Sequence, residues 1–333
     1  MKRYGNLVPI ICTRENIERS IKTVLRGNDR KHTRTARNIL KHKEEVIDWV
    51  IKVISEGTFR LGNYESVTIK EGPKERDIQI ITYKDRIVVN AIMTVLDELL
   101  LRRLIYTTAS SIKGRGAVYL KDIVQRDIRN HPEETKYVYK IDIHKYYHSI
   151  DHDLMKVCIR RYIKDKTLLP ILDNFVDMLP EGLSIGLRAS QVFGNIFLGW
   201  LVDMPLKCKH RVKFFYRYCD NIVILGPSKE YLWNIHNIIT GLLENTKLQI
   251  KPNYRVYPRS EGIDFLGYVI YSGIHCRVRK RIKNNAQKKL HKLRSSRRRQ
   301  EIIASIKGYC VHSNGHNLFN NLVKIYGTKS SWW

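Results

Sequence analysis

Apolar residues between Arg14 and Glu56 recur at helical intervals. Ile17, Ile21 and Val24 lead, followed by Ile39, Leu40, Val46, Ile47, Val50, Ile51 and Ile54, the spacing that lines one face of a helix. Gly57 ends the pattern. β-Prone residues then gather around Glu65-Ser66-Val67-Thr68-Ile69, a Gly-Pro loop runs from Glu71 to Arg76, and a second strand is expected from Asp77 to Thr82. Residues 85–104 return to helical spacing, with Ile87, Val88, Ala91, Ile92, Val95, Leu96, Leu99 and Leu100 on the apolar face.

Further on, residues 137–143 read as a strand that leads into a helix near Asp151, with Ser149 and Asp151 as candidate N-caps. A helix over 166–178, a glycine-containing loop from Gly182 to Ser190 and a buried helix from Gln191 to about Leu206 follow. Phe215 to Leu225 reads as a hairpin, two short apolar runs flanking a polar Cys219-Asp220-Asn221 tip. An amphipathic helix over 228–244 and short strands near 247–250 and 264–270 come next. From Arg277 to Arg299, 12 of 23 residues are Lys or Arg, and Leu290, Leu293, Ile302, Ile303 and Ile306 give this stretch helices with one apolar face. Strands and helices mixed in this order, with no internal repeat, indicate an α+β fold and not a parallel βαβ array.

At 333 residues the chain can bury a large core, as one multi-lobed unit or two to three subdomains. Lys and Arg total 60 against 32 Asp and Glu, a formal net charge of +28. That excess implies a polyanionic partner, nucleic acid or an anionic membrane surface. No apolar run reaches the ~18 residues of a membrane span, and Met1-Lys2-Arg3-Tyr4-Gly5-Asn6 opens no secretory h-region. Cys12, Cys158, Cys208, Cys219, Cys276 and Cys310 are not spaced as zinc ligands and read as reduced thiols of a cytosolic protein.

Two strand-end carboxylates, Asp142 and Asp220, are a candidate site for two magnesium ions acting on a polyphosphate; capping of a turn or a helix is the alternative. Tyr147, five residues after Asp142, is placed to lie under a nucleotide sugar or simply to pack beside Tyr146. Lys74 and Arg76 sit on a turn that can clamp a triphosphate, the Arg through forked hydrogen bonds, or stay solvated. Leu183-Ser184-Ile185-Gly186-Leu187-Arg188-Ala189-Ser190-Gln191 is a loop-to-helix transition at which Gly186 permits close backbone approach. The basic stretch, with Arg277, Arg279, Lys280, Arg281, Lys288, Lys289 and Lys292, would repel itself without a polyanion and reads as the contact to a nucleic-acid duplex.

As an ordered set these residues resemble reverse transcriptases over nearly the full chain. The marks are Lys74-Glu75-Arg76, Tyr83-Lys84-Asp85-Arg86-Ile87-Val88, Lys140-Ile141-Asp142-Ile143 through Tyr147 to Asp151, Ile185-Gly186-Leu187-Arg188-Ala189-Ser190-Gln191, Tyr218-Cys219-Asp220-Asn221, Leu248-Gln249-Ile250-Lys251 and Phe265-Leu266-Gly267-Tyr268. The resemblance implies a right-hand polymerase with fingers, a palm of antiparallel sheet plus helices, and a basic helical thumb. It places N-terminal helices and fingers in 1–135, the palm in 136–270 with fingers elements near 160–190, and the thumb in 271–333. By the same resemblance Asp142, Asp220 and the Ile143 carbonyl hold magnesium, with manganese as a substitute, and Asn221 completes the catalytic group. Tyr147 becomes the sugar gate, and Lys74 and Arg76 contact the triphosphate. Ile185, Gly186 and Gln191 border the nascent pair, and Lys251 acts near the pyrophosphate.

The Ile-Gly-x-x-x-Ser-Gln form, where most of these enzymes have Gln-Gly-x-x-x-Ser-Pro, resembles the reverse transcriptases of diversity-generating retroelements. So do Gly315-His316-Asn317-Leu318-Phe319 with Tyr326-Gly327, and the compact length. That subfamily implies a bacterial or phage-encoded cytoplasmic enzyme. It copies a template RNA into cDNA with substitutions at template adenines, for diversification of a target gene, and works with a basic, oligomeric helical-bundle accessory protein. Replacing a hydrogen-bonding Gln by Ile185 removes about 1 kcal/mol of discrimination, too little to account for adenine-specific error alone. A retron-like or group II intron-like enzyme is the alternative, although Val269-Ile270-Tyr271 stands where a retron carries Val-Thr-Gly. The hairpin departs from the family's Tyr-x-Asp-Asp at Asn221, which keeps an acceptor oxygen but loses a charge. A weakened RNA-binding relative is the reading that departure leaves open.

Overall fold

The computed structural model describes residues 3–71 and 74–327, the side chains of Asn28, Asp29, Glu71 and Lys74 excepted. After α1 (Val8–Ile11), the helical stretch over 14–56 consists of α2 (Arg14–Val24), α3 (Asn28–Lys31), α4 (Arg34–Lys41) and α5 (Lys43–Ser55). It breaks at Gly27, whose φ of +114° suits glycine. Thr33 then restarts it, its hydroxyl accepting from the Ala36 amide at 3.2 Å as an N-cap. The hairpin β1 (Glu65–Glu71) and β2 (Lys74–Ile80) leads to α6 (Tyr83–Leu101), capped by Thr82.

Next come β3 (Thr108–Ala109), α7 (Ala117–Asn130) and β4 (Tyr137–Asp142), then a 3₁₀ turn over Tyr146–Ser149. α8 (His152–Tyr162) is capped by Asp151, which accepts from the Leu154 amide at 3.0 Å; Ser149 is not the cap. α9 (Leu169–Val176) and α10 (Arg188–Leu198) follow. The buried helix expected to end near Leu206 instead runs on from α10 as π-helical segments, Gly199–Asp203 and Pro205–Lys209. Pro205 has no amide hydrogen to donate, and the wider helical turn accommodates it.

β5 (Phe215–Tyr218), β6 (Asn221–Gly226) and α11 (Lys229–Leu243) lead to β7 (Arg255–Pro258), β8 (Ile263–Phe265), β9 (Tyr268–Ile270) and β10 (Cys276–Val278). The last three helices are α12 (Lys280–Lys292), α13 (Ser296–Val311) and α14 (His316–Tyr326). Of residues 247–250 only Ile250 is in a β-bridge, and beside it the His144 amide donates to the Gln249 carbonyl at 2.7 Å. The second partner of β4 is β7, and just beyond that segment the Lys251 amide donates to the Asp142 carbonyl at 2.9 Å.

The chain divides into two compact units. The first comprises Met1–Ile105, Ile143–Arg211 and Thr240–Gln249. Its centre is α6, whose Ile87, Val88, Ala91, Ile92 and Leu96 are fully buried. The second comprises Tyr106–Asp142, Val212–Ile239 and Ile250–Trp333. It is built on a five-stranded sheet in the order β3-β5-β6-β4-β7, antiparallel except for the short parallel pair β3 and β5. Leu120 and Val124 of α7 pack with Val138, Tyr216, Val223 and Leu225 of this sheet. A second sheet, β10-β9-β8, turns at Leu266 and Gly267, both at positive φ as a two-residue hairpin of matching twist requires. The terminal helices have a core of their own around Ala286, Leu290, Ile303, Ile306, Cys310 and Leu322. None of the six cysteines is disulfide-bonded, and among the described residues no helix is long and apolar enough to cross a membrane.

On α11, His236 lies 2.6 Å from the buried Tyr139 hydroxyl, stacks on Tyr254 and meets Trp233 edge-on. Burial holds its imidazole below the ordinary histidine value. The unfolded chain therefore binds the extra proton first. Stability present above about pH 6.5 is lost as pH falls from there toward the lower folded value. The melting temperature is expected to drop between about pH 7.5 and pH 5.5, and the drop to shrink in His236→Gln, measured by thermal unfolding across that range.

Candidate functional site

β4 ends at Asp142 and β6 begins at Asn221, and the two residues face each other in the antiparallel register. Directly opposed side chains leave the same face of a sheet. Asp220 immediately precedes Asn221, in the two-residue connection Cys219-Asp220 between β5 and β6. The tightness of that turn is enforced from below. Cys219 adopts φ +56°, a conformation that costs a side-chain-bearing residue of order 1 kcal/mol or more. Arg217, fully buried, donates from Nη1 to the Cys219 carbonyl at 2.9 Å and pins it.

The Asp220 carboxyl lies close enough to Asp142 to feel its charge. Burial first, and then the negative charge of Asp142, push Asp220 above the ordinary carboxylate range; its own backbone amide and Lys251 pull the other way. Lys251 forms an ion pair with Asp142 while its amide holds the Asp142 carbonyl. Two acids and one ammonium leave a local excess of negative charge, which attracts a cation.

Among the described residues no group of three or more His, Cys, Asp and Glu side chains is placed to hold a metal. The donor set is the carboxylate pair. It fits magnesium, which is commonly held by one or two carboxylates and completes its shell with substrate phosphates and water. Ile143, the third expected ligand through its carbonyl, is buried next in the chain.

An acidic side chain at position 221 would add charge directly opposite Asp142. Asn221→Asp is expected to bind a divalent cation several-fold more tightly, read as a lower half-saturating magnesium concentration in thermal unfolding. A magnesium titration that superimposes on wild type would show that the second hairpin position is not limiting.

Of the residues expected on the nucleotide side, all but Lys251 lie in the first unit. Arg76 is exposed on β2, opposite Ile69 of β1. Lys74 opens β2, but its side chain lies outside the described residues, as do Gly72 and Pro73 of the turn. Two residues before Tyr147, Lys145 takes a left-handed conformation at φ +41°. Tyr147 is half-buried, and its carbonyl accepts from the Leu183 amide at 2.7 Å. Gly194 of α10 underlies both tyrosines: Tyr146 donates to its carbonyl at 2.6 Å, and a β-carbon there would stand 3.1 Å from the Tyr147 ring.

Ile185 is 40% exposed, and Gln191 is exposed in the first turn of α10. Gly186 is pressed against β2, where a β-carbon would lie 1.9 Å from the Gln79 carbonyl oxygen. Beside it the Ser184 hydroxyl donates to Gln79 Oε1 at 2.9 Å, with both residues buried. The close approach read for Gly186 is thus to the strand carrying Arg76. The loop of Ile185, the turn of Tyr147 and that strand form one bonded network.

Sequence reasoning missed Gln79, Ser184, Arg217 and Gly194. Arg217 carried a signal, a cation inside the apolar run Phe215 to Leu225. Arg188, in the Ile185–Gln191 motif, is structural: it holds Asp97 of α6 at 2.6 Å. In the basic segment Arg279 pairs with Asp264, and Arg277 lies over the Tyr271 ring. Lys280, Arg281, Lys288, Lys289 and Lys292 are exposed. Arg281, Lys288 and Lys292 form one stripe of α12 opposite buried Ala286 and Leu290.

Residues 69–270 match the family model described as reverse transcriptase (RNA-dependent DNA polymerase). No curated protein matches the chain. Among solved structures it is similar to telomerase from Candida albicans in complex with the TWJ fragment of telomeric RNA, at 12% identity and a TM-score of 0.53, over 85% of this chain and 59% of that one. Apo telomerase from Candida tropicalis is similar at 10% identity and a TM-score of 0.51, over 74% and 57%. The chain thus spans less than two thirds of either, and at such identity the likeness is one of fold: the helix-and-sheet polymerase fold expected from the sequence.

Proposed function

The chain belongs to the reverse transcriptase (RNA-dependent DNA polymerase) family, and from that premise we propose that it copies a template RNA into error-prone cDNA at the Asp142–Asp220 pair. The observation that carries this is the opposition of Asp142 and Asn221 in register, with Asp220 next in the turn and Lys251 paired to Asp142, within the matched segment. A primer 3′-hydroxyl attacks the α-phosphorus of a dNTP, the α–β phosphoanhydride breaks, and pyrophosphate leaves. Asp142, Asp220 and the Ile143 carbonyl are the groups that would hold magnesium, or manganese in its place. When bound, such an ion lowers the pKa of the attacking hydroxyl and neutralises the triphosphate and the departing pyrophosphate.

Lys251 balances the charge of Asp142 and reaches toward the pyrophosphate. Lys74 and Arg76 bind the triphosphate, Arg76 through its forked donors. Tyr147 packs beneath the sugar and excludes a 2′-hydroxyl. Ile185, Gly186 and Gln191 border the nascent pair. The hybrid is read by backbone charge along Arg277, Lys280, Arg281, Lys288, Lys289 and Lys292.

The finer reading, adenine-directed mutagenesis in a diversity-generating retroelement, is supported by Ile185 and Gln191 in their motif. An oligomeric basic helical-bundle partner belongs to the same reading. The test is extension of a DNA primer on an adenine-containing RNA template with magnesium and four dNTPs, followed by sequencing. Substitutions concentrated at template adenines are expected. Faithful cDNA would favour a retron-like or group II intron-like enzyme. No cDNA with either metal would leave the RNA-binding relative.

A further inference from the structure

α4 carries a basic surface that the polymerase site does not use. Arg34, Arg37, Asn38 and Lys41 fall within an arc of about 100° around the helix, opposite the buried Ala36 and Ile39. With Thr35 they line an open groove of about 610 Å³. Arg30 and Lys31 of α3 precede them. Arg86 of α6 lies close enough to Arg30 to be repelled by it: burial and that neighbouring charge hold its guanidinium below the usual range.

Charge balance separates this face from an ordinary solvated one, where opposite signs interleave. Among the described residues none of Arg30, Lys31, Arg34, Arg37, Lys41 and Arg86 pairs with a carboxylate. On the adjoining helices Arg14 pairs with Glu44, Lys43 with Glu18 and His42 with Glu45. Thr35 and Asn38 set neutral hydrogen-bonding groups between the cations. That alternation suits successive phosphates of a nucleic-acid strand. The groove also precedes residues 69–270, so it stands outside the segment the family shares.

We propose that the α4 groove is a second RNA site, which grips the phosphodiester backbone through Arg34, Arg37 and Lys41 and takes no part in nucleotide addition. The choice of RNA as the polyanion rests on the family reading; the site rests on the charge and geometry of the helix.

The test compares wild type with Arg34→Gln/Arg37→Gln/Lys41→Gln in the full chain. Binding of a fluorescently labelled single-stranded RNA is followed by anisotropy over a range of salt, and extension is followed on a minimal RNA-template, DNA-primer duplex. The variant is expected to bind RNA at least about tenfold more weakly at low salt. Its salt slope should be shallower by about 2, some 0.7 for each of three single-strand phosphates that the variant no longer neutralises. Extension on the minimal duplex is expected to stay unchanged.

Unaltered affinity and slope would overturn the proposal, as would a parallel loss of extension on the minimal duplex. Intact RNA binding with lost binding to anionic phospholipid vesicles would overturn it in favour of a membrane surface. If the triple variant does not fold, Arg34→Gln and Arg37→Gln singly, each expected to reduce the slope by about 0.7, carry the test. RNA held in the groove by a wild-type protein that makes no cDNA would remove the polymerase reading and leave the site standing.

Discussion

Asp220→Asn is expected to abolish primer extension while making the metal-free protein more stable. In the folded chain the Asp220 acid is raised above its ordinary value by burial and by Asp142. The folded state therefore holds that proton more tightly than the unfolded chain. Stability is greatest while Asp220 is protonated and falls as pH rises from about 3.8 through the folded value, so at neutral pH the ionised group costs stability. Asparagine removes that cost. It also removes half of the carboxylate pair. Losing several kcal/mol of charge stabilisation corresponds to a fall in rate of at least about a thousandfold.

Two measurements decide the matter. Single-turnover extension gives the rate, and thermal unfolding gives stability with and without magnesium. Wild type should gain stability with magnesium, by about 2.7 kcal/mol at a hundred times the dissociation constant, and Asp220→Asn should gain little. A variant that still extends primers, or one that magnesium stabilises as much as wild type, would remove Asp220 from the site.

Gly186→Ala is expected to be the most damaging change in the first unit. The φ at Gly186 is not positive, so the requirement for glycine is one of space. A methyl group would enter 1.9 Å from the Gln79 carbonyl oxygen and 2.9 Å from its carbon, both main-chain atoms. Either β2 or the loop must move, at about 1–3 kcal/mol of stability. The movement displaces Ile185 from the strand that carries Arg76. A misplacement near 1 Å costs about a hundredfold in rate, expected here mainly as a raised KM for dNTP. Ser184→Ala is the milder control, since it removes one buried hydrogen bond worth about 1 kcal/mol. Wild-type unfolding and kinetics in Gly186→Ala would refute the arrangement.

Elements whose signal is local were legible in the chain. α6 stands close to where apolar spacing put it and α8 where the Asp151 cap put it, because a cap and an amphipathic face are set by residues within a few positions of each other. The hairpin at Cys219-Asp220 was legible for the same reason. α7 carries Leu120, Ile123, Val124 and Ile128 at helical spacing, so its signal was present too. The expected strand at 247–250 is reduced to a single bridge at Ile250, because strand pairing is decided by distant partners, and β4 pairs along its length with β7 beyond Pro252. The π-helical continuation of α10 reflects buried packing around Pro205, which local propensity does not encode.

The chain alone therefore determined its locally signalled elements, its excess of positive charge and the order of its motifs, each a property of residue type and spacing. Only the tertiary structure decided which residues touch. It set Asp142 opposite Asn221, placed Lys251 on Asp142, buried Arg217 under Cys219, pressed Gly186 onto Gln79 and, among the described residues, left the α4 cations without carboxylates. Those outcomes depend on strand register, close packing and the low polarity of buried ground, which arise only when segments far apart in the chain are brought together.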